Sequence, residues 1–229
     1  MSTTGTTAFN LNMADLIEEA FERCGAELRT GYDLRTARRS VNLLTIEWAN
    51  RGLNLWTVEQ GQIVMNTGQA IYPLPVDTID LLDMVTRQYN GQQTNQIDIN
   101  INRISESTYS TIPNKNATGR PIQVYVNRQT PIPNITLWQV PNTNSYIFRY
   151  WYLRRAQDAG QPGSNTMDVP FRFVPALVAG LAYHVAIKSP DSADRIPMLK
   201  QMYDEAWDQA ADEDREKAPL RIAPRQYFR

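Results

Sequence analysis

The stretch ARRSVNLLTIEWANRGLNLWTVEQGQIVMNTGQAIYPLPVD, residues 37–77, decides how this chain is built. Its first part carries Val41, Leu44 and Trp48 at spacings of three and four, which places them on one face of a helix. Arg51 stands in the last turn, and Gly52 follows as a stop. Next come Leu55-Trp56-Thr57-Val58, Ile63-Val64-Met65 and Ile71-Tyr72-Pro73-Leu74-Pro75, short runs of strand-forming residues. An amphipathic helix thus passes directly into β-structure.

Toward the N-terminus, residues 1–10 are small and polar and read as flexible. Asn12 is placed to cap a first helix with Asp15 in its opening turn. Met13, Leu16, Ile17, Ala20, Phe21 and Cys24 make one apolar stripe, and Gly25 ends it. Asp33 is expected to cap the second helix, which runs to about Asn50. Two antiparallel helices joined by a short loop follow.

Toward the C-terminus the period changes to two. Ile97, Ile99 and Ile101 alternate with Asp98 and Asn100, and Ile122, Val124 and Val126 with Gln123 and Tyr125. Such alternation marks strands with one buried face. In 145–153, SYIFRYWYL, Tyr146, Phe148, Tyr150 and Tyr152 share one face and Ile147, Arg149, Trp151 and Leu153 the other. A strand apolar on both faces is either central or at a subunit contact. Tyr150, Trp151 and Tyr152 are its candidate contact residues. Most of the 14 prolines lie between residues 73 and 175, as loops between strands require. Six to eight strands are expected, in a small sandwich or a partly open barrel. Residues 103–109 are expected to make one helical turn, and 114–121 a loop.

At Asp168 the helical period returns. Asp168 is expected to cap a helix opening at Pro170, with Val174, Leu177, Val178, Leu181, Ala182 and Val185 in register. Ser189-Pro190-Asp191 breaks the chain. A last helix then presents Ile196, Leu199, Met202, Tyr203, Ala206 and Trp207 on one face and frays near Lys217. The fold class is α+β: a four-helix bundle (11–52 and 168–217), an inserted antiparallel sandwich or barrel-like β domain (53–167) and an extended tail (218–229).

The 229 residues carry a formal net charge of −1, so no global positive field draws the chain to nucleic acid. No apolar run approaches the roughly 20 residues that span a bilayer, and MSTTGTTAFN lacks the regions of a secretory signal. Cys24 is the only cysteine and His184 the only histidine, which excludes an internal disulfide and zinc sites of Cys/His type. His184 falls in a buried helix and reads as a packed, hydrogen-bonded side chain. No phosphate-binding glycine motif occurs, so no cofactor is expected. Glu47 and Glu59 are the carboxylates weighed for glycosidase chemistry, and nothing in the sequence pairs either. The acidic run Asp204, Glu205, Asp208, Asp212, Glu213, Asp214 and Glu216 reads as a solvated helix face or as a surface that meets a basic partner or repels DNA. Trp56, Trp138, Trp151 and the tyrosines read as packing or contact residues, or as platforms for sugars.

Residues 217–229, KAPLRIAPRQYFR, carry Lys217, Arg221, Arg225 and Arg229 at intervals of four without an acid. Leu220, Ile222, Tyr227 and Phe228 have no core of their own. The segment is either a disordered basic end or one that orders on a partner, arginine forks on carboxylates and aromatics in apolar pockets.

LLTIEWANRGLNLW, IYPLP, GRPIQVYV, LWQVPN and YIFRYWYLRR are words that resemble the head-to-tail adaptor family of short-tailed bacteriophages, over most of residues 11–213. The resemblance implies a non-enzymatic structural protein of the virion's head–tail junction, assembled in the host cytoplasm. It implies a dodecameric ring of self-associated copies under the portal protein. That ring meets the tail nozzle protein, with tail fibres or spikes at its rim. Double-stranded DNA passes through without sequence-specific binding, and no membrane is involved. It further implies that Leu220, Arg221, Ile222, Arg225, Tyr227, Phe228 and Arg229 clip onto the portal. The other readings are a sugar- or receptor-binding β module of a phage tail and an enzyme acting on cell-wall glycans.

Overall fold

The computed structural model describes residues 4–6, 9, 11–29, 31–52, 55–89, 96–160 and 165–214. In chain order the helices are α1 (Met13–Cys24), α2 (Gly31–Arg51), α3 (Glu106–Ser110), α4 (Val174–Ala186) and α5 (Ile196–Glu213). The strands are β1 (Val58–Val64), β2 (Ile71–Pro73), β3 (Thr78–Tyr89), β4 (Gln96–Asn100), β5 (Asn102–Ile104), β6 (Thr118–Gly119), β7 (Gln123–Asn127), β8 (Asn134–Trp138), β9 (Val140–Pro141) and β10 (Tyr146–Arg154). The chain divides into two compact units, residues 1–55 with 157–229, and residues 56–156. The fold is α+β.

In the helical unit, α1 begins and ends where its local chemistry dictates. Asn12 Oδ1 accepts a hydrogen bond from the Asp15 amide at 2.9 Å, satisfying one of the free N–H groups of the first turn. Gly25 sits at φ 75°. Its amide donates to Glu22 O and the Ala26 amide to Phe21 O, the paired bonds of a Schellman end that needs a left-handed residue. All six stripe residues of α1 are buried. α4 packs against α1, α2 and α5, and Ala176 through Ala182, Val185 and Ala186 are buried. A helix buried nearly all round sits inside its partners rather than beside them. Small residues permit this: a Cβ at Gly180 would lie 2.8 Å from Leu44 and 2.9 Å from the Tyr203 ring.

Some expected boundaries and faces shift. α2 starts at Gly31, so Asp33 lies in its first turn, where Oδ2 accepts from the Arg29 amide at 3.3 Å. Asp168 does not cap: its Oδ2 accepts from Gln157 N at 3.0 Å, and a 3₁₀ turn, Phe171–Phe173, leads into α4. Another 3₁₀ turn, Leu55–Thr57, precedes β1, so the passage from helix to strand is not direct. Met202 is 42% exposed, because Leu199, Tyr203, Trp207 and Ala210 take the inward face of α5. The helical turn expected over 103–109 is α3, which begins only at Glu106 because residues 103 and 104 belong to β5.

In the β unit, one four-stranded sheet has the order β1-β10-β3-β4, a second β2-β8-β7-β5, and β6 pairs with β9. These ten strands among the described residues exceed the six to eight expected, because several are only two or three residues long. Pairing is antiparallel except for β5–β7 and β6–β9, which are parallel. One core joins both large sheets: Tyr72, Val124, Ile135 and Leu137 from one meet Leu81, Phe148, Tyr150 and Tyr152 from the other. Two sheets sharing a core make a sandwich. β10 is central, between β1 and β3. β4 ends its sheet, and Ile97 on it is 55% exposed despite its strict alternation.

Candidate functional site

The aromatic strand β10 supplies the contact candidates Tyr150, Trp151 and Tyr152. Tyr146, Phe148, Tyr150 and Tyr152 point into the sandwich. Ring centroids lie 5.4 Å apart for Phe148 and Tyr150 and 5.6 Å for Tyr150 and Tyr152. Gly61 of β1 pairs with Tyr150, and a Cβ there would run into the tyrosine ring. The Tyr152 hydroxyl donates to Glu59 at 3.2 Å. Its pKa is pushed up to about 12, first by burial and then by the charges of Asp77 and Glu59. Tyr150 and Tyr152 are thus covered within their own unit, which leaves Trp151 of the three on the outer face. Trp151 is half-buried, stands opposite Gln60 and coincides with a register shift against β3. Such a bulge re-aims a side chain. The same face carries Ile147, Leu153 and Val64, the last 56% exposed.

Glu59 is held by Arg154, whose Nε lies 2.6 Å from it. In the helical unit Glu47 gathers more partners. Arg51 Nη2 lies 2.6 Å from Oε1, Tyr203 OH donates to the same oxygen at 3.2 Å, and His184 Nε2 lies 3.5 Å from Oε2. Trp48 Nε1 in turn donates to Tyr203 OH at 2.9 Å. The Arg51 guanidinium lies 4.8 Å from the Tyr203 ring centroid and 5.2 Å from that of Trp207, a cation–π arrangement. Burial lowers the His184 pKa although Glu47 pulls it upward, and burial raises that of Tyr203. Each of these carboxylates is committed to a cation and a tyrosine of its own unit. Cys24 is buried, donates to Ala182 O at 2.9 Å and has its pKa pushed by burial to about 11. Among the described residues no group of three or more His, Cys, Asp or Glu is placed to hold a metal ion.

Concavities also open among the described residues. One of about 550 Å³ in the β unit is lined by Arg103, Glu106, Tyr125 and Arg128. Both of its arginines bind Asp80, at 2.8 and 3.5 Å. Another, about 460 Å³, lies in the helical unit beside Phe21, Tyr32, Arg39, Leu43, Val185 and Lys188. The acidic face of α5 is partly structural: Asp204 lies 3.9 Å from Arg51 and Asp214 accepts from Leu55 N. Glu216 and the tail candidates Leu220, Arg221, Ile222, Arg225, Tyr227, Phe228 and Arg229 lie outside the described residues.

A family model described as SU10 adaptor protein matches residues 11–223. The chain belongs to that family. It is a phage head–tail adaptor, a structural protein of the virion. No curated protein matches the chain. For the adaptor, the resemblance read from the helix end, the IYPLP stretch and the aromatic strand named the right family. Sequence reasoning missed the convergence on Glu47, because Tyr203 and His184 lie far along the chain. It also missed the outward stripe of α2, although Leu43 and Ile46 off the core spacing were the signal for it. No helix of the described residues is long and apolar enough to cross a membrane.

Proposed function

We propose that this adaptor assembles as a dodecameric ring that joins the portal to the tail nozzle and continues the DNA channel. The observation that carries the reading is the adaptor family match across residues 11–223. The helical unit forms the ring and meets the portal, and the β unit faces the nozzle and the fibres or spikes at the rim. Leu220 to Arg229 anchors the chain: the segment carries cations and aromatics without an acid, suited to forked binding of carboxylates and to apolar pockets. The role is structural and not catalytic. A net charge of −1 fits a channel through which DNA must slide, since cations lining it would hold phosphates.

The test is the mass, by light scattering, of the purified chain mixed with the portal ring of the same virus. A portal-bound species heavier by about a dozen copies is expected. Deleting residues 219–229 is expected to abolish that binding while the circular dichroism spectrum stays unchanged. Full binding by the truncated chain refutes the anchor. No association at any ratio refutes the adaptor ring, and glycan binding by the isolated protein would then point to a receptor-binding module.

A further inference from the structure

We infer that neighbouring copies of this chain meet through the outward faces of α2 and α5, α2 of one copy lying antiparallel against α5 of the next. The inference rests on the ring reading above and names its contact. On α2, Tyr32, Arg35, Arg39, Leu43 and Ile46 recur every three or four residues, on the side away from buried Ala37, Val41, Leu44 and Trp48. All five are exposed, Leu43 by 58% and Ile46 by 59%. On α5, Met198, Met202, Glu205 and Asp208 make a second outward stripe, with Met198 52% and Met202 42% exposed.

Order along the two helices decides the pairing. On α2 the cations precede the apolar pair; on α5 the apolar pair precedes the acids. Only an antiparallel alignment of α2 with α5 sets Ile46 by Met198, Leu43 by Met202, Arg39 by Glu205 and Arg35 by Asp208. The paired spans, Arg35 to Ile46 and Met198 to Asp208, match in length, about 16 Å and about 15 Å at 1.5 Å per residue. A parallel alignment would press Arg35 and Arg39 onto the methionines and both acids onto Leu43 and Ile46, desolvating four charges without partners. An α2–α2 contact meets the same problem or sets arginine against arginine, and α5–α5 likewise sets acid on methionine or acid on acid. A second copy joined head to tail is therefore the occupant that satisfies both faces.

The local surroundings agree. Among the described residues neither Arg35 nor Arg39 lies within ion-pairing distance of a carboxylate, and Arg39 makes only a 3.3 Å bond to Thr36 Oγ1. The concavity of about 460 Å³ is lined by Phe21, Leu43 and Val185, with Asp33, Arg39 and Lys188 beside them. An unbranched, flexible methionine such as Met202 can adapt to such a recess.

The experiment uses the full chain with and without the portal ring, followed by light scattering and electron microscopy of the particles. Arg35→Glu with Arg39→Glu, or Glu205→Arg with Asp208→Arg, is expected to raise the concentration for half-assembly about tenfold or more through like-charge contact. Combining all four substitutions is expected to restore assembly. As a second measurement, chains carrying Leu43→Cys and chains carrying Met202→Cys are mixed and oxidised; native Cys24 is buried. Cross-linked dimers in the mixture, and none from either variant alone, are expected. Wild-type rings with unaffected charge variants, failure of the fourfold variant to recover, or self-linking of Leu43→Cys overturns this contact and leaves the ring reading standing. A wild-type chain that assembles neither alone nor on the portal overturns both.

Discussion

Glu47 holds three partners with two oxygens, and its loss would be felt by all of them. The Tyr203 hydroxyl accepts from Trp48 Nε1 and donates its own hydrogen to Glu47, so Tyr203→Phe removes the acceptor of that indole N–H inside the unit. A cost of about 1–3 kcal/mol is expected, read from denaturant midpoints. His184 gives the cluster a pH response. Its folded pKa lies below the ordinary 6.5, so the folded state favours the neutral ring and the unfolded state takes the proton more readily. Stability is complete above about 6.5 and falls as pH drops through the folded value. Denaturant midpoints at pH 8 and pH 5 should therefore differ more for the wild type than for His184→Gln; equal differences would refute the assignment. Asn12 and Gly25 were legible in the sequence because their bonds close within a few residues. Asp33 and Asp168 were misread because each carboxylate accepts from an amide outside the helix it was expected to cap.

At the scale of elements, β10 shows how two-sided patterning is settled by position. Both of its faces are rich in apolar residues, and the strand is central, with its tyrosines inside and Trp151 outside. The tight approach of β1 sets a limit on that packing. Tyr150 is buried between Phe148 and Tyr152, so its ring has nowhere to go if Gly61 gains a methyl group. Gly61→Ala is expected to destabilise the β unit by about 1–3 kcal/mol, measured by thermal denaturation; an unchanged midpoint would mean the ring repacks freely. The alternation that marked β7 as half-buried failed for β4, because an edge strand can alternate without a sheet to cover its apolar side. α5 failed in a related way: helical spacing put Met202 with the core, while the helix turns Leu199, Tyr203 and Trp207 inward instead. A face is visible in sequence; which neighbour covers it is not.

At the scale of the whole molecule, the order of two helices, strands and two helices was legible because the hydrophobic period changes from 3.6 to 2 and back. The interior position of α4 was not, since an all-apolar helix looks the same whether one partner or three surround it. The β unit has a core drawn from both of its sheets, so residues 56–156 expressed alone are expected to unfold in one cooperative thermal transition. A molten spectrum without such a transition would show that the sandwich borrows its order from the helices. Val58 stands opposite Leu153 at one end of the β1–β10 pair, so the polypeptide leaves for the sandwich and returns from it through neighbouring strands. That makes the sandwich a cassette. Recombination at the codons flanking 56 and 156 would exchange the whole module through two adjacent joints. The surfaces of α1, α2 and α5 that enclose α4 would keep their residues, so under the proposed ring one helical unit could be combined with β units of different descent.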